Sequence, residues 1–253
     1  MNNPETPRII HLSETDSTNR YLLRIAETEQ LRSGSIVCAD FQTAGRGQAG
    51  SAWESEAGKN LTFSILFRPE IASERRLFVI SEIASLSVKY TLDKYLPDIT
   101  VKWPNDVYYK ASKIAGILIE NAIMEGNISQ SVIGIGINVN QTVFNSDAPN
   151  PISMAQITGQ TYDLRMIMND FQQIFAVQSE RLNSACYDAI HNNYLNAMYR
   201  KVGYYQYTDE IGAFKARIYD IEPTGRLILE RPDGHLSRYA FKEVAYSVKK
   251  TLK

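Results

Sequence analysis

Residues 102–120 of this 253-residue chain read KWPNDVYYKASKIAGILIE. They follow a short apolar segment, ITV at 99–101, which is typical of a buried strand. Pro104 fixes its own backbone and restricts the residue before it. We therefore expect Asn105 and Asp106 to project from a rigid strand end, where they suit a metal ion or a phosphate. The alternative is an ordinary turn with Asx capping.

Lys113 opens the apolar strand that follows. Lysine is seldom buried without a partner, so Lys113 is a candidate for a charge role. The alternative is an edge lysine whose ammonium group reaches water. Gly116 lies in mid-strand, where glycine costs stability and often marks the close approach of a ligand or a backbone. Segments 112–123 and 128–139 are predicted to form a hairpin that turns at 125–127.

The second strand of that hairpin contains GIGINVN at 134–140. Two glycines inside a strand leave room for a flat group. Asn138 and Asn140 share one face because strand side chains alternate. Packing of the core alone is the alternative explanation.

A glycine-rich loop, GRGQAG at 45–50, formally matches the dinucleotide-binding pattern GxGxxG. A Rossmann fold needs a helix that begins at this loop. The next residues, SAWESEAGKN, instead lead into a predicted strand at 60–67, which disfavours that fold. The loop still suits an anion, because glycines let backbone N–H groups approach a phosphate and Arg46 adds charge. An ordinary surface turn is the alternative.

Residues 16–19, DSTN, stand at a predicted helix start, where simple N-capping is the alternative to a function. Strands are also predicted at 8–13 and 35–40, and helices at 74–96, 163–182 and 185–198. This uneven spacing favours an α+β domain with a mixed β-sheet and helices. After Gly203 short alternating strands and glycine or proline turns predict a small β-barrel.

The composition is that of an ordinary globular protein, with 44% hydrophobic and 22% charged residues. The net charge of −1 lacks the basic excess of nucleic-acid-binding proteins, so nucleic acid is not an expected partner. Two cysteines without a CxxC pair suit a reducing cytoplasm. The sequence shows no signal-peptide pattern and no apolar run of the ~18 residues that a membrane helix needs.

Taken in order, DSTN, FQTAGRGQAGSAW, KWPNDVYYKASKIAGILIE and GIGINVN resemble the biotin–protein ligase family. Lys102 and Lys113 stand eleven residues apart, as the family pattern requires. The resemblance implies a class II aminoacyl-tRNA synthetase/biotin ligase-like catalytic domain over residues 1–203. It also implies, more weakly, an SH3-like β-barrel over residues 204–253. The implied activity joins biotin to a lysine of a biotin carboxyl carrier protein through biotinyl-5′-AMP, with ATP and Mg²⁺.

The resemblance also implies roles for single residues on the biotin side. The residues that would bind the biotin ring are Ser17, Thr18, Asn19 and Gln42. The loop that would close over biotin and the adenylate contains Gly45, Arg46, Gly47 and Gln48, and it ends at Trp53, which would lie against the nucleotide.

On the phosphate side the implied contacts surround Lys113, which would touch both the biotin carboxylate and the phosphate. Asp106 would be the Mg²⁺ ligand, with Asn105 beside it. The remaining implied binding residues are Lys102, Gly116 and Asn138, the last of these against adenine. The implied catalytic residues are Lys113, Asp106 and Arg46.

The loop departs from the family pattern, since many members read GRGRxxRxW where this chain has Gln48 and Ser51. Fewer cations would then face the phosphates, so we expect a weaker hold on the adenylate. Two other functions stay open: a lipoate– or octanoate–protein ligase of the same fold, and a non-catalytic biotin-binding regulator. Only sixteen residues precede Ser17, too few for the winged helix-turn-helix of DNA-binding members. A homodimer formed through an edge strand or hairpin also stays open.

Overall fold

The structure is a computed structural model and describes residues 6–69, 76–146 and 150–247. Its first seven strands are β1 (Ile9–Thr15), β2 (Ile36–Gln42), β3 (Leu61–Phe67), β4 (Ile99–Lys102), β5 (Asp106–Tyr109), β6 (Ser112–Met124) and β7 (Asn127–Ile137). They form one sheet in the order β1-β2-β3-β7-β6-β5-β4. β1 and β2 are parallel, and the other neighbours are antiparallel. The predicted mixed sheet is thus confirmed.

Helices cover both faces of this sheet. The helices are α1 (Thr18–Thr28), α2 (Phe78–Asp93), α3 (Met154–Thr158), α4 (Leu164–Asn183) and α5 (Tyr187–Ala197). α1 contacts β2, β3 and β7, whereas α2 packs against β4, β5 and β6 and is itself contacted by α4 and α5. Because it is covered on both faces, β3 is buried along its whole length.

The N-terminus of α1 is held over the middle of the sheet by a separate apolar cluster. Leu22, Ile25 and Ala26 are buried in this cluster together with Val37 and Leu66. These helix residues recur at helical spacing and form one apolar stripe on the side of α1 that faces the sheet. The cluster leaves the sheet surface beyond the start of α1 available for the site described below.

A second sheet follows in the C-terminal part of the chain. Its strands are β8 (Tyr205–Thr208), β9 (Ala213–Ile221), β10 (Leu227–Glu230), β11 (Leu236–Tyr239) and β12 (Ala245–Tyr246). They lie in the order β11-β10-β9-β8-β12. Within the described residues β11 and β12 do not pair with each other, so this sheet is open and the closed barrel expected from the sequence is not observed.

The second sheet shares its core with the first part of the chain. Tyr207, Ile218 and Leu229 belong to the same buried cluster as the residues of α2 and β3. The backbone carbonyl of Gly225 also accepts a hydrogen bond from the Trp103 indole at 2.9 Å. The predicted boundary near 203/204 therefore falls between two parts that pack closely together.

Most predicted elements are present, with shifted ends. The hairpin of β6 and β7 turns at Glu125 and Gly126, both with positive φ, as a tight two-residue turn requires. The helix predicted over 74–96 is α2, which begins at Phe78; residues 74 and 75 lie outside the described part. β5 and the short α3 were not predicted. No helix among the described residues has both the length and the apolar character to cross a membrane.

Candidate active site

Three glycines form a depression in the sheet below the start of α1. In the register of β6 and β7, Gly116 pairs with Gly136, and Gly134 pairs with Leu118. A Cβ on Gly134 would overlap the Asn19 amide, and one on Gly136 would overlap the Trp53 indole. The missing side chains thus admit two flat groups against the sheet. A cavity of about 1040 Å³ opens above them.

One end of the cavity, here called the amide end, is built from neutral polar groups. The Ser64 hydroxyl lies 2.5 Å from Asn19 Oδ1 and 2.7 Å from Thr18 Oγ1. Gln42 Oε1 accepts hydrogen bonds from the Thr18 backbone N–H at 2.8 Å and the Thr18 hydroxyl at 3.1 Å. Thr18, Asn19 and Ser64 are buried. A buried network whose members are hydrogen-bonded to one another is rigid.

Ser17 stands at the N-cap of α1, yet its hydroxyl accepts no capping hydrogen bond from the described residues of the helix. Its backbone N–H instead donates to the Asp16 carboxylate at 2.7 Å. Ser17 is buried and lines the cavity. Simple N-capping therefore does not account for this serine, and its hydroxyl is available to a ligand.

Glu120 joins the amide end to the glycine-rich loop. Its carboxylate accepts from Asn19 Nδ2 at 2.8 Å and from Arg46 Nη2 at 3.1 Å. Charge-assisted hydrogen bonds of this kind are stronger than neutral ones. Glu120 was not singled out from the sequence, although a charge that closes the apolar run ILI was a usable signal.

At the other end, here called the charged end, Lys113 and Asp106 form an ion pair with Nζ 2.6 Å from Oδ1. Their side chains are 24% and 21% exposed, so the pair is accessible from the cavity. The Lys113 ammonium also lies 5.7 Å from the centre of the Trp53 ring. This arrangement holds a cation beside the flat indole. Lys113 therefore has a charged partner, and the alternative of an edge lysine that only reaches water is not observed.

Lys102 faces the same end, but its ammonium group contacts aromatic side chains. Its ammonium donates to the Tyr108 hydroxyl at 2.8 Å and lies 5.2 Å from the ring centre of Tyr246 in the second sheet. Burial lowers the pKa of Lys102, against the attraction of Asp106. Asn105 is buried and donates to the Ile117 carbonyl at 2.7 Å, so its amide N–H group holds the strand end in place.

The glycine-rich loop lies along the cavity between these two ends. A Cβ on Gly45 would meet the Trp53 carbonyl at 2.7 Å, and the Trp53 N–H donates to the Gly45 carbonyl at 3.0 Å. The loop forms a three-residue 3-10 turn, Gln48–Gly50, and leads into antiparallel β3, so the rejection of a Rossmann fold is confirmed. Three buried polar atoms of this loop lack a partner among the described residues, namely Arg46 Nε, Gln48 Oε1 and Trp53 Nε1.

The structure brings most of the predicted site residues to one cavity. Those that line it are Ser17, Thr18, Asn19, Gln42, Arg46, Gly47, Gln48, Trp53, Lys102, Asn105, Asp106, Lys113 and Gly116. Gly45 and Asn138 are not among the lining residues. Asn138 is buried and donates to the Ile152 carbonyl at 3.2 Å, so its contact with adenine stays a prediction. Sequence reasoning missed Ser64 and Glu120, which are hydrogen-bonded to the lining residue Asn19, and the wall formed by Arg200 and Tyr246.

Comparisons with known proteins agree with this geometry. A model of the Biotin/lipoate A/B protein ligase family matches residues 12–138. The chain therefore belongs to that family.

Individual relatives carry the names of biotin ligases. The bifunctional ligase/repressor BirA of Escherichia coli (strain K12) is 43% identical over 129 residues, which cover 49% of this chain and 38% of BirA. The biotin–[acetyl-CoA-carboxylase] ligase of Paracoccus denitrificans is 27% identical over 233 residues, which cover 88% of this chain and 94% of that protein. The chain spans less than half the length of the BirA proteins that it matches.

The fold is shared with solved biotin protein ligases. A structure of the Aquifex aeolicus enzyme in complex with biotin and ATP superposes with a TM-score of 0.77 at 24% identity. The match covers 96% of this chain and 100% of that one. The mixed sheet and the second sheet together thus follow a known biotin protein ligase architecture.

Proposed function

We propose that this protein is an ATP-dependent biotin–protein ligase that forms biotinyl-5′-AMP and transfers the biotinyl group to a lysine of a biotin carrier domain. One observation carries the proposal: a single cavity has a buried neutral amide end and, across the sheet glycines, a charged end centred on Lys113. Biotin has chemical groups in the matching order, since its ureido ring is joined by an apolar chain to a carboxylate.

The amide end favours biotin over lipoate. A ureido ring offers two N–H donors and a carbonyl, whereas a dithiolane ring offers no comparable hydrogen bonds. A site lined by buried polar groups discriminates strongly against a ligand that leaves them unpaired. Ser17 and Thr18 are such groups, and in this proposal they bind the ring together with the half-buried Gln42.

In the first step a biotin carboxylate oxygen attacks the α-phosphorus of ATP, and the bond to the bridging oxygen breaks so that pyrophosphate leaves. Both reactants are anions, and two unit charges about 4 Å apart repel by about 4 kcal/mol at an effective dielectric near 20. Lys113 at the charged end offsets this repulsion. Glu120 holds Arg46 toward the biotin side. Backbone N–H groups of the 45–50 loop stabilise the charge on the phosphoryl oxygens, apart from that of Gly47, which donates to the Ser51 carbonyl.

Mg²⁺ is the metal that this step implies, and the donor set fits a partial protein site. Among the described residues no group of three or more His, Cys, Asp or Glu side chains is placed to hold a metal. Magnesium, however, is commonly bound by one or two carboxylates together with substrate phosphates and water. Asp106 would be that carboxylate, and the ion would neutralise charge on the triphosphate.

In the second step the neutral amine of the acceptor lysine attacks the acyl carbon, loses its proton, and AMP leaves with the bonding electrons. A free lysine has a pKa of about 10.4, so a base near the site is useful. Asp106 at the charged end is our candidate. Holding the two reactants together supplies a further part of the rate.

The type of the C-terminal domain and the cellular location are part of the same proposal. The second sheet is proposed to be the SH3-like domain of the family, in an open form. The free thiols of Cys38 and Cys186 favour a cytoplasmic location. A homodimer stays open, and the absence of nucleic-acid binding stays a prediction from the sequence.

The deciding measurement is exchange of labelled pyrophosphate into ATP in the presence of Mg²⁺ and either biotin, lipoate or octanoate. We expect exchange with biotin, followed by transfer to a purified biotin carrier domain. Equal exchange with lipoate would refute the assignment, and biotin binding without exchange would favour a non-catalytic regulator.

A further inference from the structure

Glu54, the residue after Trp53, joins two loops that are far apart in the sequence. Glu54 Oε1 accepts the backbone N–H of Asn145 at 2.8 Å, and Oε2 accepts that of Ser146 at 2.8 Å. Both carboxylate oxygens are therefore used, each on a different residue of the loop that follows β7. A neutral amide in this place has one acceptor oxygen and would turn an NH₂ group toward the second N–H donor.

A second set of hydrogen bonds supports the same contact between the two loops, here called the junction. Gln141 Oε1 accepts from the Glu56 backbone N–H at 2.9 Å and from Asn60 Nδ2 at 2.6 Å. Gln141 Nε2 in turn lies 3.3 Å from Glu54 Oε1. Gln141 and Asn60 are buried, so Glu54 is the outer, partly exposed member of an otherwise internal network.

The junction stands against the charged end of the cavity. The Trp53 ring lies on Gly136 and Gly116, and Ser146 lines the cavity. The amide end is instead held by α1 and β3, through Asn19 and Ser64. The position of Trp53 thus depends on the junction, while the amide end has its own support.

We propose that Glu54 is a positioning residue that latches the Trp53 loop to the loop after β7 and thereby sets the affinity of the charged end for ATP, but not that of the amide end for biotin. This inference rests on the proposed function, which assigns the nucleotide to the charged end.

The charge state of Glu54 agrees with this role. Burial raises its pKa, but the hydrogen bonds from Ser146, Asn145 and Gln141 together outweigh burial, and the pKa is lowered. The carboxylate is therefore ionised at neutral pH, which is the form that accepts both N–H groups.

The test compares Glu54→Ala and the isosteric Glu54→Gln with Glu56→Ala, a neighbouring exposed position whose backbone, not its side chain, takes part in the junction. Biotin-dependent ATP–pyrophosphate exchange gives the KM for ATP, and calorimetry without nucleotide gives the Kd for biotin. We expect the KM for ATP to rise about tenfold in Glu54→Ala, as for the loss of a charge-assisted hydrogen bond. The KM for ATP of Glu54→Gln should lie between those of the wild type and Glu54→Ala, and that of Glu56→Ala should match the wild type.

In the same variants the Kd for biotin should stay within about twofold of wild type, the scale of a surface change. An unchanged KM for ATP in both Glu54 variants would overturn the proposal. An equal loss of affinity for ATP and biotin would also overturn it, because it would show general damage to the site.

Acrylamide quenching of tryptophan fluorescence tests the role of Glu54 independently of the proposed ligase activity. Trp103 is 4% exposed, so most quenching reports on Trp53. Stronger quenching in Glu54→Ala than in Glu56→Ala would support the latch even if wild-type protein showed no biotin-dependent exchange. Identical quenching in the two variants would refute it whatever the activity.

Discussion

The two ends of the cavity are built in different ways. At the amide end, the Ser64 hydroxyl on β3 is hydrogen-bonded to both Thr18 and Asn19 at the start of α1. At the charged end, Lys113 is paired with Asp106, but Trp53 Nε1 and Gln48 Oε1 are buried without a partner in the described part of the chain.

Residues of the second sheet also contribute to the charged end. Tyr246 lies over Lys102, and Trp103 donates to the Gly225 carbonyl. Unpaired buried polar groups cost stability, and they are tolerated where a ligand supplies the missing partners. The amide end is thus held by its own hydrogen bonds, whereas the charged end depends on contacts between loops and sheets; we propose that a ligand supplies the partners that are missing at the charged end.

The largest effect is expected for Lys113→Ala, which removes the ammonium group of the charged end. Loss of one group that stabilises developing charge costs about 100-fold or more in rate. Single-turnover formation of AMP should fall by at least that factor, while circular dichroism stays that of the folded protein. Lys59→Ala, at an exposed position outside the cavity, is the control. Near-wild-type rates in the Lys113 variant would remove this residue from the mechanism.

Gly134→Ala and Gly136→Ala test whether the two ends are separable. The first pushes a methyl group into the Asn19 amide, and the second pushes one into the Trp53 ring. Overpacking costs about 1–3 kcal/mol, or about 5- to 150-fold in affinity. We expect the first to raise the KM for biotin and the second to raise that for ATP. If each variant raised both values equally, the division of the cavity would be wrong.

Gln48→Arg should complete the charged end. Gln48 lines the cavity, and its buried side-chain oxygen lacks a partner among the described residues. We expect an arginine at this position to reach the phosphates of the proposed adenylate. A charged hydrogen bond adds about 1–2 kcal/mol over a neutral one, or about 5- to 30-fold. Release of preformed adenylate should slow by that factor in Gln48→Arg and should not slow in Gln48→Met. Equal release from wild type and the Arg variant would mean that the phosphate is held elsewhere.

The smallest effect concerns His191, which joins the two parts of the chain. Its ring lies 2.7 Å from Glu82 of α2 and 2.8 Å from Asp220 of β9. The hydrogen bond to Glu82, with that to Asp220, raises the pKa of His191 to about 9 despite burial. A raised pKa means that the stabilisation is complete below the ordinary value of 6.5 and is lost as pH rises through about 9.

Asp220 is 41% exposed, so we expect this clamp to contribute about 1–2 kcal/mol after screening. The midpoint of thermal unfolding of the wild type should fall more between pH 7 and pH 10 than that of His191→Gln. The KM for ATP should rise a few-fold over the same range and the Kd for biotin should not. Parallel pH curves for the two proteins would show that the bridge is not a clamp.

Much of this organisation was predictable from local pattern. The order of strands and helices, the hairpin of β6 and β7, and the grouping of Ser17, Asp106 and Lys113 follow from periodicity, turn residues and the family motifs. The mid-strand glycine at 116 was expected to mark the close approach of a ligand or a backbone, and the groups that approach it are the side chains of Trp53 and Lys113. The closed barrel was not observed, because alternation and turns identify strands but not whether the edge strands meet.

By itself the sequence determined which faces of the strands are apolar, where the turns fall and which chemical groups stand at the strand ends. Only the tertiary structure decided their partners. Glu120 meets Asn19 across 101 residues and Glu54 meets Asn145 across 91. Such pairs depend on strand register and on loop paths, which are set by packing across the whole sheet. A charge inside a strand, such as Glu120, or after a tryptophan, such as Glu54, has no local signal that indicates which residue it will contact.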